Sequence, residues 1–219
     1  MNNKENILQL ICSQKLLPLY YNDSSEVSIA VLKTLFNAGI RIVEYTNRGA
    51  NSLDNFVAMR KVVHEEMPGM YLGIGTIKSV TEAEMFIHVG ADFIISPIIN
   101  KDVADFVHSK GLVWIPGCLT PTEIYAAETS GAALVKIFPG SAVGPSYIAA
   151  IKELFPELLF MPTGGVDLGE KNIEAWFNAG ACAVGMGSKL ISKKNMDNKD
   201  YPKIGVLVKE AMNIISEIK

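Results

Sequence analysis

Four segments of the chain repeat one form: a helical tail that ends in glycine, then a β-branched or apolar run. They are NAGIRIVEYT (37–46), HVGADFIISP (88–97), TSGAALVKIF (129–138) and NAGACAVGMG (178–187). Their starts lie 51, 41 and 49 residues apart, close to two strand–helix units each. That spacing makes them the second, fourth, sixth and eighth strands of a repeating array. The odd-numbered strands fall in the gaps, at LLPLYY (16–21), YLGIGTI (71–77), LVWIPG (112–117) and LLFMPTG (158–164). These are mostly continuous apolar runs, as parallel strands covered by helices require.

Helical patterns occupy the intervals. Residues 24–39 carry Val27, Ala30, Val31 and Leu35 on one stripe, and residues 52–66 carry Phe56, Met59 and Val63. Shorter helices fit 79–90, 101–111, 120–131, 145–156 and 171–180, and an amphipathic helix over 201–219 supplies the eighth cover. Residues 3–14 read as an extra helix closing the lower mouth, and the polar run 192–201 reads as a surface loop. No linker interrupts the pattern. The expectation is one domain over 1–219, a (β/α)8 TIM barrel with an extra N-terminal helix. An open doubly wound sheet is the alternative, and the regular two-unit repeat counts against it.

Composition narrows the partners. A chain that is 49% hydrophobic and 20% charged is ordinary for a globular protein. A net charge of −3 gives no general attraction to nucleic acid or to anionic lipid. No apolar run reaches the roughly 18 residues that a membrane helix needs. Neither nucleic acid nor membrane is therefore expected as a partner, and an anionic ligand must be held by a local site. The first residues lack the apolar core and cleavage site of a signal peptide. Cys12, Cys118 and Cys182 are odd in number, without CxxC spacing, and read as small buried hydrophobes in a reducing cytoplasm.

In a barrel of this kind the active site lies at the C-terminal ends of the strands. Lys136 stands between Ala132–Val135 and Ile137–Pro139, where a charged ammonium is expensive to bury and its pKa is expected to fall. A partly neutral amine can attack a ketone carbonyl. A rim lysine with its stem in apolar surroundings and its head in water fits the strand context equally well. Glu44, within IVEYT, must face the barrel or the helices, with Tyr45 opposite. It can move protons beside an amine, or simply pair with Lys136. Arg48, just past the strand, can clamp a carboxylate bidentately or be an ordinary rim arginine.

PTGGV (162–166) and GMGS (185–188) close the last two strands, the usual phosphate position of the fold, where backbone N–H groups and a short helix meet an anion. FPGSAVGPS (138–146) offers a third glycine-rich wall, with Gly144 or Ser146 opening a helix. Tight turns need such glycines as well. His64, His88 and His108 fall within helices, and no histidine–carboxylate cluster has metal-ligand spacing, so neither metal nor cofactor is expected.

The motifs VEYTNR (43–48), GIGT (73–76), ISP (95–97), IPGCLTPTE (115–123), VKIFP (135–139), PTGGV and GMGS, in that order, resemble the bacterial 2-keto-3-deoxy-6-phosphogluconate aldolase family, which includes 4-hydroxy-2-oxoglutarate aldolases. The resemblance runs from about residue 7 to 214. It implies a trimeric class I aldolase acting on a phosphorylated 2-keto acid, with Lys136 as the Schiff-base lysine and Glu44 as the acid/base carboxylate. It implies that Arg48 and Thr76 hold the pyruvate carboxylate and that Pro97 and Phe138 line the same pocket. Thr163 takes the place beside the hydroxylated chain, and Gly164, Gly165, Gly187 and Ser188 that of the phosphate site. The chain departs from the family's usual pattern at Gly49–Asn51 and in PGSAVGP, both bordering the substrate tail. An isomerase or epimerase using Glu44 without a covalent lysine, and a non-catalytic phosphometabolite-binding barrel, are the alternatives.

Overall fold

The computed structural model describes residues 3–218, with side chains from Glu5 onward; residues 1, 2 and 219 of the expected 1–219 span lie outside the described residues. The strands are β1 (Leu16–Tyr20), β2 (Ile42–Thr46), β3 (Tyr71–Gly75), β4 (Phe93–Ile95), β5 (Val113–Ile115), β6 (Gly117–Cys118), β7 (Leu134–Ile137), β8 (Leu159–Pro162) and β9 (Val184–Met186). Every pairing is parallel, in the orders β5-β4-β3-β2-β1-β9 and β6-β7-β8.

Two junctions join these ladders into a barrel of eight strand positions. The expected fifth strand is interrupted at Pro116, which has no N–H for the ladder, and so it appears as β5 and β6. Pro116 keeps its acceptor, and its carbonyl takes the Lys136 N–H at 2.9 Å. On the other side, Cys182 N–H donates to the Phe160 carbonyl at 2.9 Å, and a parallel bridge links Thr163 to Gly185. The remaining strands and the covering helices fall where the repeat puts them.

Helices α1 (Asn3–Gln14), α2 (Ser25–Asn37), α3 (Ser52–Glu66), α4 (Val80–His88), α5 (Lys101–Ser109), α6 (Pro121–Thr129), α7 (Pro145–Leu154), α8 (Glu170–Asn178), α9 (Lys193–Asp197) and α10 (Tyr201–Glu217) complete the chain. Their starts are written locally: Ser79 with Glu82 and Thr120 with Glu123 form reciprocal capping boxes. Their ends explain the repeat. Gly39, Gly90, Gly131 and Gly180 all have positive φ, the left-handed stop that lets each helix turn back into the next strand. The polar run at 192–201 differs from expectation. It holds the short helix α9, because Ser192 caps the Asn195 N–H and buried Met196 anchors the turn.

Alternation sorts the strand residues into two cores. Val43, Tyr45, Leu72, Ile74, Ile94, Trp114 and Val135 face the helices. Leu17, Ile42, Phe93, Ile95, Ile115, Leu134, Met161 and Ala183 fill the barrel itself. Ile7 and Ile11 of α1 join that inner cluster and close the N-terminal mouth, as the sequence suggested. Each is fully buried, which stabilises the fold by about 1.5–3 kcal/mol per side chain. Among the described residues no helix is long and apolar enough to cross a membrane.

Candidate active site

The inward-facing positions nearest the C-terminal ends are where polar residues enter the barrel. Glu44 follows Ile42 on the inner face of β2, while Tyr45 turns outward and donates to the Asn22 carbonyl at 2.9 Å. Lys136 follows Leu134 on the inner face of β7. The two side chains meet across the barrel, with Nζ 3.4 Å from both Oε1 and Oε2. Their side chains are 7% and 1% exposed, so Lys136 is no snorkelling rim residue. Its ammonium also lies 5.3 Å from the centre of the Phe138 ring.

The length of that contact matters. Surface pairs of this protein close to 2.6 Å, as in Lys33–Glu66 and Lys101–Asp105. A buried structural pair needs short contacts and satisfied lone pairs to offset its desolvation. Here the contact is long, and among the described residues Lys136 is the only hydrogen-bond partner of the Glu44 carboxylate. A carboxylate has about four acceptor sites, so Glu44 keeps capacity for another donor.

Glycines make the room. A β-carbon at Gly75 would fall on the Glu44 carboxylate, one at Gly73 on the Phe93 ring, and one at Gly185 on the Thr163 hydroxyl. One inward position beyond Glu44 lies Thr46. One beyond Met161, the register partner of Lys136, lies Thr163. Both line a cleft of about 630 Å3 that also takes in Arg48, Gly187 and Ser188. The Thr163 hydroxyl is buried and, among the described residues, has no hydrogen-bond partner. Arg48 is exposed and, among the described residues, forms no side-chain hydrogen bond or ion pair.

The remaining expected residues lie around the same end without lining that cleft. Thr76 follows β3 with φ +66°, a strained conformation for a β-branched residue that costs on the order of 1–3 kcal/mol. Pro97 follows β4, and Phe138 ends the β7 segment; both are half-buried. Gly164 and Gly165 form a turn at φ +83° and +80°, and a β-carbon at Gly165 would strike the backbone of Ser141. That turn alone requires both glycines, and the segment beyond it runs directly to α8; the short helix at this end is α9, which follows β9 and contributes Lys193, Met196 and Asp197 to the cleft. Gly144 caps α7, as anticipated for the third glycine-rich wall.

One wall of the cleft was missed in the sequence. The β1–α2 loop contributes Tyr21, Asn22 and Asp23. It is held by the Asn55 amide, which donates to the Asn22 and Asp23 carbonyls, and by Tyr45 and Ser28 on Asn22. Tyr21 donates a short hydrogen bond to Asp23, and burial with that bond pushes its phenol up to about 12. Gly49 is what admits Tyr21, since a β-carbon there would collide with its hydroxyl. The usable signal was positional: a first βα loop must open on the same mouth as the others. Trp114 and Trp176 are core residues, and the three histidines sit in helices as expected. Among the described residues no group of three or more His, Cys, Asp or Glu is placed to hold a metal.

This arrangement has clear relatives. Residues 7–207 match the family model for KDPG and KHG aldolase. The chain is 33% identical over 166 residues to the probable 2-dehydro-3-deoxy-6-phosphogalactonate aldolase of Rhizobium meliloti, covering 75% of this chain and 76% of the relative. It is 26% identical over 215 residues to the 2-dehydro-3-deoxy-phosphogluconate aldolase of Haemophilus influenzae, covering 96% and 97%. Its fold superposes with a TM-score of 0.84, at 24% identity and covering 92% and 96%, on the KDPG aldolase of Legionella pneumophila, a structure with pyruvate captured as a covalent carbinolamine. With a match over most of its length, the chain belongs to the KDPG and KHG aldolase family and is an aldolase on a (β/α)8 barrel.

Proposed function

We propose that the protein cleaves 2-keto-3-deoxy-6-phosphogluconate reversibly to pyruvate and glyceraldehyde 3-phosphate through a Schiff base on Lys136, and accepts 4-hydroxy-2-oxoglutarate as a shorter substrate. The observation that carries this reading is the buried Lys136–Glu44 pair at 3.4 Å with an unfilled carboxylate. Glu44 is the nearest base able to take a proton from the ammonium, and the amine then attacks C2 of the keto acid. The carbinolamine loses its hydroxyl as water, leaving a cationic imine conjugated to C3. Glu44, directly or through a water, removes the C4 hydroxyl proton. The C3–C4 bond breaks, its electrons enter the enamine and the aldehyde departs. Protonation at C3 and hydrolysis of the imine return pyruvate and the free lysine.

Arg48 and Thr76 hold the keto-acid carboxylate in this reading, with Pro97 and Phe138 against the methyl end. The unpaired Arg48 and the strained Thr76 support it, because strain of this kind gathers at ligand sites. Thr163 offers its unpartnered hydroxyl to the hydroxylated chain. Gly187 and Ser188, with Gly164 and Gly165 alongside, receive the phosphate, whose binding energy orients the reacting carbons. No metal or cofactor enters the scheme.

The galactonate epimer is the second reading, favoured by the more identical Rhizobium relative. Comparative kcat/KM on the gluconate acid, its galactonate epimer and 4-hydroxy-2-oxoglutarate decides the substrate. The first reading expects the gluconate acid to lead. Equal rates with and without the phosphate would remove the role given to the glycines and Ser188. We also place the enzyme in the cytoplasm as a homotrimer, from the family resemblance. Light scattering should return three times the chain mass, and a monomer at working concentration would contradict it.

A further inference from the structure

Two thiols that the aldol reaction does not use meet at the far end of the barrel. Cys12 lies near the end of α1, and Cys182 lies just before β9, 170 residues further along the chain. The backbone brings the two segments together: Val184 N–H donates to the Lys15 carbonyl at 2.9 Å, and Leu16 pairs with Val184. Both cysteines are free and half-buried, and their thiols lie against each other. Cys182 also packs against the inner cluster that holds Ile7 and Ile11.

The pair is unequal. The hydrogen bond from Cys182 lowers the Cys12 thiol to about 7, against the opposing effect of burial. The same bond, with burial, holds the Cys182 thiol far above the ordinary range, and the Lys152 ammonium only partly offsets this. Lys152, on α7, is itself engaged by the Pro156 and Leu158 carbonyls, and Lys15 by the Ile218 carbonyl and the Phe177 ring. Cys12 is therefore the thiol of the pair drawn toward the thiolate, with a thiol held protonated against it, the arrangement of an attacking and a resolving cysteine. Cys118 contrasts with both: burial pushes its thiol to about 12, and it serves as a packing residue.

We propose that Cys12 and Cys182 form a thiol-modification site, in which Cys12 attacks a small-molecule disulfide and Cys182 resolves the product into a Cys12–Cys182 bridge. In the first step the Cys12 thiolate bonds to one sulfur of the small disulfide and expels the other half as a thiolate. That thiolate takes up a proton. In the second, Cys182 gives its proton to solvent and attacks the Cys12 sulfur, expelling the remaining half, which is protonated in turn. Two protein thiols are oxidised and one disulfide is reduced to two thiols. The bridge ties the helical plug to β9, at the end of the barrel opposite Lys136.

The test uses the full chain with oxidised glutathione at neutral pH, read by intact mass and peptide mapping. The wild type should give a Cys12–Cys182 linked peptide with no lasting glutathione adduct and an unmodified Cys118. Cys182→Ala should accumulate the mixed disulfide on Cys12, and Cys12→Ala should react at least about tenfold more slowly, as expected once the low-pKa thiol is gone. Alkylation of Cys12 by iodoacetamide should rise through a midpoint about 7 and move upward in Cys182→Ala. The proposal is overturned by a persistent Cys12 adduct in the wild type, by first reaction at Cys118 or Cys182, by an inert Cys12, or by an unmoved midpoint in Cys182→Ala.

Discussion

The two ends of the barrel interior are built on opposite terms. At the N-terminal end Ile7, Ile11, Leu17, Ile42, Leu134 and Ala183 close the space with carbon. The buried polar side chain among them, Gln14, is satisfied on both sides. Its amide donates to the Leu16 and Ile42 carbonyls, and its oxygen accepts from the Arg41 and Ile42 N–H groups. At the C-terminal end Glu44 and Lys136 stand 3.4 Å apart, the Thr163 hydroxyl has no partner among the described residues, and Thr76 holds a strained backbone. One end satisfies the polar side chain it buries, and the other leaves several such demands unmet. Unmet polar capacity near a cleft is what a ligand can complete, so in the proposed function stability and chemistry are divided along the barrel axis.

The largest expected effect is at Lys136. Lys136→Met should lower aldol turnover by on the order of 10⁵-fold, as loss of a covalent nucleophile does. It should also destabilise the fold by about 3–5 kcal/mol, since it strands the Glu44 charge. The double variant Lys136→Met/Glu44→Leu should recover that stability and can exceed the wild type by about 1–4 kcal/mol, while remaining inactive. A double variant as unstable as the single one would mean that the pair is structural, and the contrast between the two ends would fail.

Glu44→Gln comes next, with kcat down by about 10²–10⁴-fold and a folded, pyruvate-binding protein. Turnover within a few-fold of wild type would remove Glu44 from the proton path. At the other end, Ile11→Ala should cost about 2–5 kcal/mol in a denaturant titration, with kcat per folded molecule unchanged. A fall in kcat would show that the plug shapes the reacting end. Smallest is Thr163→Val, which removes a buried hydroxyl that has no partner among the described residues. Stability should hold or rise by up to about 1 kcal/mol, while KM for the hydroxylated six-carbon acid rises and that for pyruvate exchange does not. Lost stability would mean the hydroxyl is already bonded.

The contrast also explains what could be read in advance. The strands were legible because each repeat couples a left-handed glycine stop to an apolar run, and Gly39, Gly90, Gly131 and Gly180 perform that stop. Lys136 and Glu44 were legible because charges interrupt strands that are otherwise apolar. The break at Pro116 was not, since a proline in LVWIPG marks a strand end as readily as an interruption. Gly73, Gly75 and Gly185 stood only within the motifs GIGT and GMGS, with no role of their own. Their part is to leave space for the side chains of Phe93, Glu44 and Thr163, and such space has no signature along a chain. The Cys12–Cys182 contact depends on the closing of the whole barrel, so no local spacing could announce it. The β1–α2 loop was overlooked for a different reason: its Asn22 and Asp23 are ordinary turn residues until Asn55 and Tyr45 hold them against the cleft.

In the proposed reaction the buried amine of Lys136 becomes covalently bound to the keto acid. Borohydride reduction in the presence of pyruvate tests it most directly, read by intact mass and peptide mapping. One irreversible adduct per chain is expected, mapped to Lys136 and absent from Lys136→Met. No adduct in the active wild-type enzyme, or an adduct that maps to another lysine, would contradict it.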